Sequence, residues 1–313
     1  MNDIYNAAKW EGLRVFTVEV SSGTDRLFGN GRQQVELRIA IEANDVNANP
    51  VPLSDRELAS LRLVEYHGGK EIPLRGAKWS YAFTRATEYR YYPSNRSRSV
   101  GSDLDAFVAP FTAGQHTTYR HLYVMTTADA PLRIAAKITR DDGQEFVSSA
   151  AQDGSVTLTP VELPSYRTED YTLKAAPIYL DFADCIPFVL MSGSTNIEFR
   201  EFSITPSSVV KGHWASNGKI YGLTYIGYTK PGQSGVHYGE GTFSYFHDLD
   251  SKFIKPGQPV IVRVYHETPV PRSTNKGAVY SSSIVAVDMY GNDHSLNIRF
   301  KNKEIGDLEL ELF

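Results

Sequence analysis

Many features that would assign a protein to a functional class are missing from this sequence of 313 residues. It has a single cysteine, Cys185, so no intrachain disulfide can form and the fold must rely on its core and hydrogen bonds. Its 32 basic residues are outnumbered by 36 acidic ones, which argues against a general nucleic-acid binder. No run approaches the ~18 apolar residues that a membrane helix needs.

Targeting and catalytic motifs are also missing. Residues 1–5 lack the basic start and apolar run of a secretory signal, which predicts synthesis in the cytoplasm, with any release by lysis or dedicated export. We find no nucleophile elbow, phosphate loop or dinucleotide fingerprint, so we expect neither an enzyme nor a cofactor. Glu198 and Glu201 are the nearest carboxylate pair, but their offset of three places them on opposite faces of a strand.

What the sequence does have is alternation of apolar and polar residues. Within residues 33–42, one predicted strand face carries Val35, Leu37, Ile39 and Ile41, and the other carries Glu36, Arg38, Ala40 and Glu42. This period of two predicts a half-buried strand with one solvated face. Further strands are predicted at 133–139, 144–147, 155–161, 197–204, 219–228, 241–246, 259–266, 280–289, 296–300 and 308–312. Ser54 and Glu57 form a capping box that predicts one short helix.

One stretch resembles a known family. A Gly29-Asn30-Gly31 turn leads into the alternating strand, and the strand leads into a loop at 45–52 that reads Asp-Val-Asn-Ala-Asn-Pro-Val-Pro. Residues 28–52 thereby resemble the bacterial immunoglobulin-like domains of the invasin and intimin type, although Ala48 stands where that family usually has glycine. The resemblance implies a sandwich module used for display or adhesion, and it carries over no catalytic residues.

The predicted fold is all-β, with two or three antiparallel, immunoglobulin-like β-sandwich units in tandem and very little helix. Polar, linker-like segments near 92–102 and 163–177 suggest the boundaries. We therefore expect a sandwich over 1–95, a second β unit over 105–175 and a C-terminal sandwich over 176–313.

Two patches are candidate binding sites. The first interleaves arginines with tyrosines and comprises Arg90, Tyr91, Tyr92, Arg96 and Arg98. This composition suits binding of anionic glycans or single-stranded nucleic acid, and the alternative is that the arginines only solvate the end of a strand. The second is aromatic and glycine-rich, as sugar sites and protein interfaces are; its candidates are Trp214, Tyr228, His237 and Tyr238. We interpret His247, Asp248 and Asp250 as a solvated turn rather than a metal site.

These observations favour a non-catalytic binding or assembly protein: an adhesion, virion-like or injection-particle component of bacterial or phage origin, or an interaction module. We expect a protein partner or self-assembly, leave a glycan ligand open and do not expect nucleic acid. The alternative is a soluble toxin subunit of the β-pore-forming or insecticidal type, which would contact a membrane through segments such as 155–173 and 279–288. A hydrolase on a β scaffold is the third hypothesis.

Overall fold

The computed structural model describes residues 10–93, 116–148, 154–175, 178–179, 183–205, 209–216, 219–229, 236–238, 241–243, 257–271, 281–300 and 310–313. The chain divides into two compact units, residues 1–163 and 164–313. Both are built from mainly antiparallel sheets, which confirms the all-β prediction. Within the described residues, no helix is long and apolar enough to cross a membrane.

Unit 1 contains two five-stranded sheets. Its elements are β1 (Gly12–Val20), β2 (Arg26–Phe28), β3 (Val35–Asn44), β4 (Pro50–Val51), α1 (Asp55–Ala59), β5 (Arg62–Glu65), β6 (Trp79–Ala82), β7 (Thr118–Thr126), β8 (Leu132–Thr139), β9 (Glu145–Val147) and β10 (Ser155–Val161). One sheet has the order β1-β3-β7-β6 with β4 beside β3, and the other has the order β2-β10-β8-β5 with β9 beside β8. β2 and β10 are parallel, and the other pairs are antiparallel.

The core of unit 1 lies between these sheets. β3 contributes Leu37 and Ile39, and the other sheet contributes Leu63, Ile134 and Leu158, all with no accessible surface. The predicted inward face of β3 is confirmed. The prediction that the opposite face of β3 is solvated is confirmed only in part.

On that outer face, Ala40 and Glu42 are buried, and β3 lies in the interior of its sheet, between β1 and β7. The Glu42 carboxylate pairs with Arg14 at 3.2 Å and accepts a hydrogen bond from Thr117 at 3.0 Å. Alternation identifies the two faces of a strand, but it cannot show that a central position is covered by its neighbours.

Helix α1 begins at the predicted capping box. Ser54 Oγ accepts from the Glu57 amide at 3.1 Å, and the Glu57 carboxylate accepts from the Ser54 amide at 2.9 Å. Glu57 also accepts from the Trp10 indole at 2.7 Å and from the Asp141 amide at 3.1 Å. This buried carboxylate therefore joins the helix to both the start of β1 and the β8–β9 hairpin.

A five-residue turn connects β3 to β4. The Asp45 amide donates to the Asn49 carbonyl at 2.9 Å, and the Ala48 amide donates to the Asp45 carbonyl at 3.0 Å. Asp45 Oδ1 accepts from the amides of Asn47 and Asn49 at 2.8 and 2.9 Å. Ala48 has φ = 64°, in the left-handed region that glycine adopts most easily.

Unit 2 contains a nine-stranded and a four-stranded sheet. Its strands are β11 (Tyr171–Ala175), β12 (Ile178–Tyr179), β13 (Ala183–Ser192), β14 (Thr195–Asn196), β15 (Phe199–Thr205), β16 (Val209–Ser216), β17 (Lys219–Thr229), β18 (Val236–Tyr238), β19 (Gly241–Phe243), β20 (Pro259–Pro271), β21 (Ser281–Asp288), β22 (Asp293–Phe300) and β23 (Leu310–Leu312). The larger sheet has the order β11-β13-β20-β17-β18-β19, with β12 and β14 beside β13 and β16 beside β17. The smaller has the order β15-β21-β22-β23.

Apolar side chains from both sheets form the core of unit 2. Leu190, Ile226 and Ile261 come from the larger sheet, and Ile284 and Ile298 come from the smaller one. A short 3-10 turn at Thr168–Asp170 precedes β11.

The β21–β22 turn repeats the β3–β4 turn bond for bond. The Asp288 amide donates to the Asn292 carbonyl at 2.9 Å, and the Gly291 amide donates to the Asp288 carbonyl at 2.9 Å. Asp288 Oδ1 accepts from the amides of Tyr290 and Asn292 at 2.8 and 2.9 Å. Here the left-handed position is Gly291, with φ = 86°.

The two units differ from the predicted boundaries at 95–105 and 175–176. The reason is that β7, expected in the second unit, pairs with β3 and β6 of the first over long stretches. β11, expected at the end of the second unit, pairs with β13 of the last. Strand pairing across the linker-like segments, rather than their composition, decides the division.

Candidate functional site

Three rings lie in a row on the outer face of β7. Leu122 and Val124 point into the core of unit 1, so Tyr119, His121 and Tyr123 occupy the opposite face of the strand. We call these three residues the ring face. The His121 side chain is 44% exposed, more than the side chains of Glu36, Arg38 and Glu19.

Glu36 on β3 organises one end of the ring face. Its Oε1 lies 2.7 Å from His121 Nδ1, and its Oε2 accepts from the Tyr91 hydroxyl at 2.9 Å. Burial, followed by this hydrogen bond and the charge of Glu36, raises the pKa of Tyr91. Burial and the same charge raise the pKa of Tyr123. Both hydroxyls therefore keep their protons at neutral pH and can donate hydrogen bonds.

Arg38 organises the other end. Its Nη2 lies 2.7 Å from Glu19 Oε2, and its guanidinium carbon lies 5.4 Å from the centre of the Tyr119 ring. The charges on this surface are thus paired with each other and with rings, so the side chains are held in place before any partner arrives.

Residues 83–93 are tethered to this sheet by two buried glutamines. Gln34 Oε1 accepts from the Ala86 amide at 2.7 Å, and Gln33 Nε2 donates to the Arg90 carbonyl at 3.0 Å. The Arg85 guanidinium stacks over the Tyr91 ring at 4.4 Å. The predicted arginine–tyrosine patch therefore lies partly against the ring face.

The individual residues of that predicted patch have different roles. Tyr91 joins the Glu36 cluster, Tyr92 packs edge-on against Phe28 at 5.0 Å, and exposed Arg90 supplies the carbonyl that Gln33 binds. Arg96 and Arg98 lie outside the described residues.

The second predicted patch is divided among three strands. Tyr228 on β17 and His237 on β18 are register partners, and their rings stack at 5.5 Å. Tyr228 is half-buried against the core of unit 2 and contacts Phe202. His237 lies on a paired strand rather than in a loop, and its side chain is half-buried. For Trp214 on β16 and Tyr238 on β18, the structure describes the backbone alone.

The predicted turn at His247, Asp248 and Asp250 lies outside the described residues. Where the structure describes the chain, no group of three or more His, Cys, Asp or Glu side chains is close enough to share a metal ion.

Unit 2 contains a buried polar cluster that the sequence analysis missed. His294 Nε2 lies 3.0 Å from Asp288 Oδ2, and His294 Nδ1 lies 2.8 Å from the Tyr171 hydroxyl. Tyr166 stacks on one face of the imidazole at 4.6 Å, and Phe199 meets it edge-on at 5.2 Å. The sequence offered little signal, because Tyr171 precedes His294 by 123 residues.

The electrostatics of this cluster favour a fixed hydrogen-bond chain. Burial alone would raise the pKa of Asp288, but hydrogen bonds from His294 and from the amides of Asn292 and Tyr290 outweigh it and lower the pKa. An ionised carboxylate can only accept, so Nε2 donates to it, and in the neutral ring Nδ1 accepts from Tyr171. Burial, with the nearby Tyr166 and the Asp288 charge, raises the pKa of Tyr171, so its hydroxyl is a poor nucleophile.

Comparisons with known proteins assign no family. No family model matches the chain, and no curated protein matches it. Among solved structures, it is similar to domains 5–6 of the S-layer protein SbsC, with 9% identity, 91% of this chain and 96% of that one covered, and a TM-score of 0.22. It is similar to the Yersinia pseudotuberculosis adhesin InvE, with 9% identity, coverage of 93% and 60%, and a TM-score of 0.20.

A glycosyl hydrolase family 2 member from Bacteroides cellulosilyticus also matches, with 12% identity, coverage of 90% and 28%, and a TM-score of 0.17. This chain thus spans less than two thirds of the adhesin and under a third of the hydrolase. At these identities and TM-scores, the matches carry no assignment of activity or partner.

Proposed function

We propose that this chain is a non-catalytic protein-binding module made of two β-sandwich units, and that the ring face of unit 1 is its contact surface. The supporting observation is the row of Tyr119, His121 and Tyr123 beside paired charges. Tyrosine and arginine dominate the energetic centres of protein interfaces, and rings lose little conformational entropy on binding.

Preorganisation supports the same proposal. Glu36 and Arg38 are bound before association, so a partner need not order them, and ordering costs about 0.5–1.5 kcal/mol per flexible side chain. The paired charges also leave no strong field of one sign, which suits a protein partner better than a polyanion.

The direct test measures self-association, because this form of protein binding can be measured with the purified chain alone. Sedimentation velocity up to about 100 µM would detect contacts as weak as about −5.5 kcal/mol. We expect concentration-dependent association that is weakened at least about tenfold in the double variant Tyr119→Ala/His121→Ala.

The matched control is Tyr66→Ala, which removes a tyrosine stacked under Arg133 at 3.7 Å at the end of the other sheet of unit 1. It should leave association unchanged. A chain that stays monomeric throughout, or a ring-face variant that associates as the wild type does, would contradict this surface as a self-contact. Binding of an immobilised neutral oligosaccharide panel that depends on Tyr119 would indicate a glycan ligand instead.

A further inference from the structure

A cavity of about 150 Å³ lies in unit 2 beside the Asp288 turn. The turn residues Asp288, Met289 and Tyr290 line it, as do Asn196 and Glu198. A cavity of this size holds a molecule about as large as benzene. It can therefore receive a small organic group, not merely a water molecule.

The walls of this cavity are acidic and aromatic. Asp288 and Glu198 supply carboxylates, Tyr166 and Tyr290 supply rings, and none of the eight described lining residues is basic. The lowered pKa of Asp288 keeps its carboxylate ionised at neutral pH. Carboxylates and ring faces together attract a cation.

The hydrogen bonds of Asp288 restrict the kind of cation. Oδ1 accepts from two backbone amides, and Oδ2 accepts from Asn292 Nδ2 at 3.2 Å and lies 3.0 Å from His294 Nε2. Its four lone-pair positions are therefore in use. Asp288 contributes charge without a free position to ligate a metal ion or accept from an N–H group. Beside Asp288, a cation that carries methyl groups is therefore favoured over one that carries N–H donors.

One polar atom in the wall still lacks a partner. Asn196 Oδ1 is buried and has no hydrogen-bond partner among the described residues. A ligand hydroxyl that donates to this oxygen would satisfy it, which would remove the cost of a buried unpaired acceptor.

The backbone around the cavity is fixed by three hydrogen bonds. Gln258 Nε2 donates to the Ile197 carbonyl at 2.7 Å, the Leu190 amide donates to Gln258 Oε1 at 3.1 Å, and the Met289 amide donates to the Glu198 carbonyl at 2.8 Å. The walls are thus held in place before any ligand binds, which lowers the cost of binding.

We infer that this cavity binds the trimethylammonium group of a small molecule that also carries a hydroxyl, with choline as the simplest example. Tyr166 and Tyr290 face the methyl groups, Asp288 and Glu198 balance the charge, and Asn196 accepts from the hydroxyl. This site lies in the unit without the ring face, and it goes beyond the proposed function.

Calorimetric titration of the full chain with choline tests the inference. We expect a Kd of about 0.1–1 mM, as suits so small a ligand. The neutral isostere 3,3-dimethylbutan-1-ol has the same shape without the charge and should bind at least about tenfold more weakly. Ethanolamine, which lacks the methyl groups, should also bind more weakly. Phosphocholine distinguishes a lipid-headgroup source, and the acidic walls should disfavour its phosphate.

Two variants connect binding to the cavity. Tyr290→Asn installs the residue that the matching turn of unit 1 carries at the same position, Asn47, so the turn should survive. Glu198→Gln removes a charge at constant shape. Each should raise the choline Kd by about 5–30-fold. Tyr66→Ala is the control and should leave the Kd unchanged.

The inference is overturned if choline binds no better than its neutral isostere, or if Glu198→Gln and Tyr290→Asn both keep wild-type affinity. A thermal scan of each variant guards against misfolding. If Tyr290→Asn lowers the melting temperature of unit 2, the isosteric Glu198→Gln variant decides the question. Failure here would leave the ring-face proposal intact, because that proposal is tested on unit 1.

Discussion

Ala48 is the one residue other than glycine with a positive φ in the described part of the chain. Its φ of 64° places Cβ close to the following carbonyl oxygen, at a cost of about 1–2 kcal/mol. The hydrogen bonds of the turn hold it there, and the matching turn of unit 2 avoids the cost with Gly291. The two turns therefore form a natural pair for a reciprocal substitution.

Ala48→Gly should stabilise unit 1. Relief of the strain is offset by the greater entropy of glycine in the unfolded chain, about 0.4–1 kcal/mol, which leaves a net gain of about 0.5–1 kcal/mol. Ala48 is exposed, so the loss of its methyl group removes little packing. For a unit of this size, the gain corresponds to a rise in melting temperature of about 1–4 °C.

Gly291→Ala should do the opposite in unit 2. The residue is buried at φ = 86°, so a methyl group adds strain, and we expect a loss of at least about 1 kcal/mol. Differential scanning calorimetry measures both changes, and hydrogen exchange of the strands beside each turn assigns each change to its unit. If Ala48→Gly lowers the stability of unit 1, or Gly291→Ala is neutral, the equivalence of the two turns is refuted.

Three further substitutions test the buried polar contacts. Glu57→Ala should destabilise unit 1 by about 3 kcal/mol, because it removes the shared acceptor of an indole and two backbone amides. Denaturant unfolding followed by tryptophan fluorescence measures the loss, and a loss under about 1 kcal/mol would contradict the prediction. Gln258→Ala should destabilise unit 2 by about 2–4 kcal/mol, because it leaves a buried amide and a buried carbonyl unpaired. Hydrogen exchange should show unit 1 unchanged, and equal effects on both units would argue against the prediction. The ionised Asp288 carboxylate stabilises unit 2 fully above its unfolded pKa, near 3.8, and this contribution is lost as pH falls through the lower folded pKa. The stability of unit 2 in Asp288→Asn should therefore decline less steeply below about pH 4 than in the wild type.

Local sequence signals predicted local structure well. The alternation at 33–42 became β3, the Ser54–Glu57 capping box became α1, and the strands predicted at 133–139 and 144–147 became the hairpin partners β8 and β9. Each of these depends on residues within about ten positions of one another, where period and turn chemistry are decisive.

Arrangements that join distant parts of the chain could not be read in the same way. The ring face needs β3 beside β7, which brings Glu36 to His121 across 85 residues. The Asp288 cluster draws Tyr171 from a strand in the other sheet of unit 2. Sequence pattern identified the tyrosines as a class, but only strand order decides which of them meet a charge and which enter the core.

The same hydrogen-bonded turn occurs in two different environments, at Asp45 in unit 1 and at Asp288 in unit 2. In both, an aspartate caps two backbone amides through Oδ1, and the last asparagine of the turn donates to Oδ2 at 3.2–3.3 Å. Among the described residues, Asp45 accepts from three donors and so keeps one acceptor position, and it lies near the surface, where hydrogen bonds from Asn49 lower its pKa. Asp288 is buried, and the remaining position is taken by His294, which brings rings and a second strand to the turn. The turn itself is therefore a feature of the fold. The two units differ in the group that binds the remaining acceptor position of the aspartate. An Asp288→Asn variant that lost the acid sensitivity of unit 2 while its turn amides stayed protected from exchange would separate these two roles.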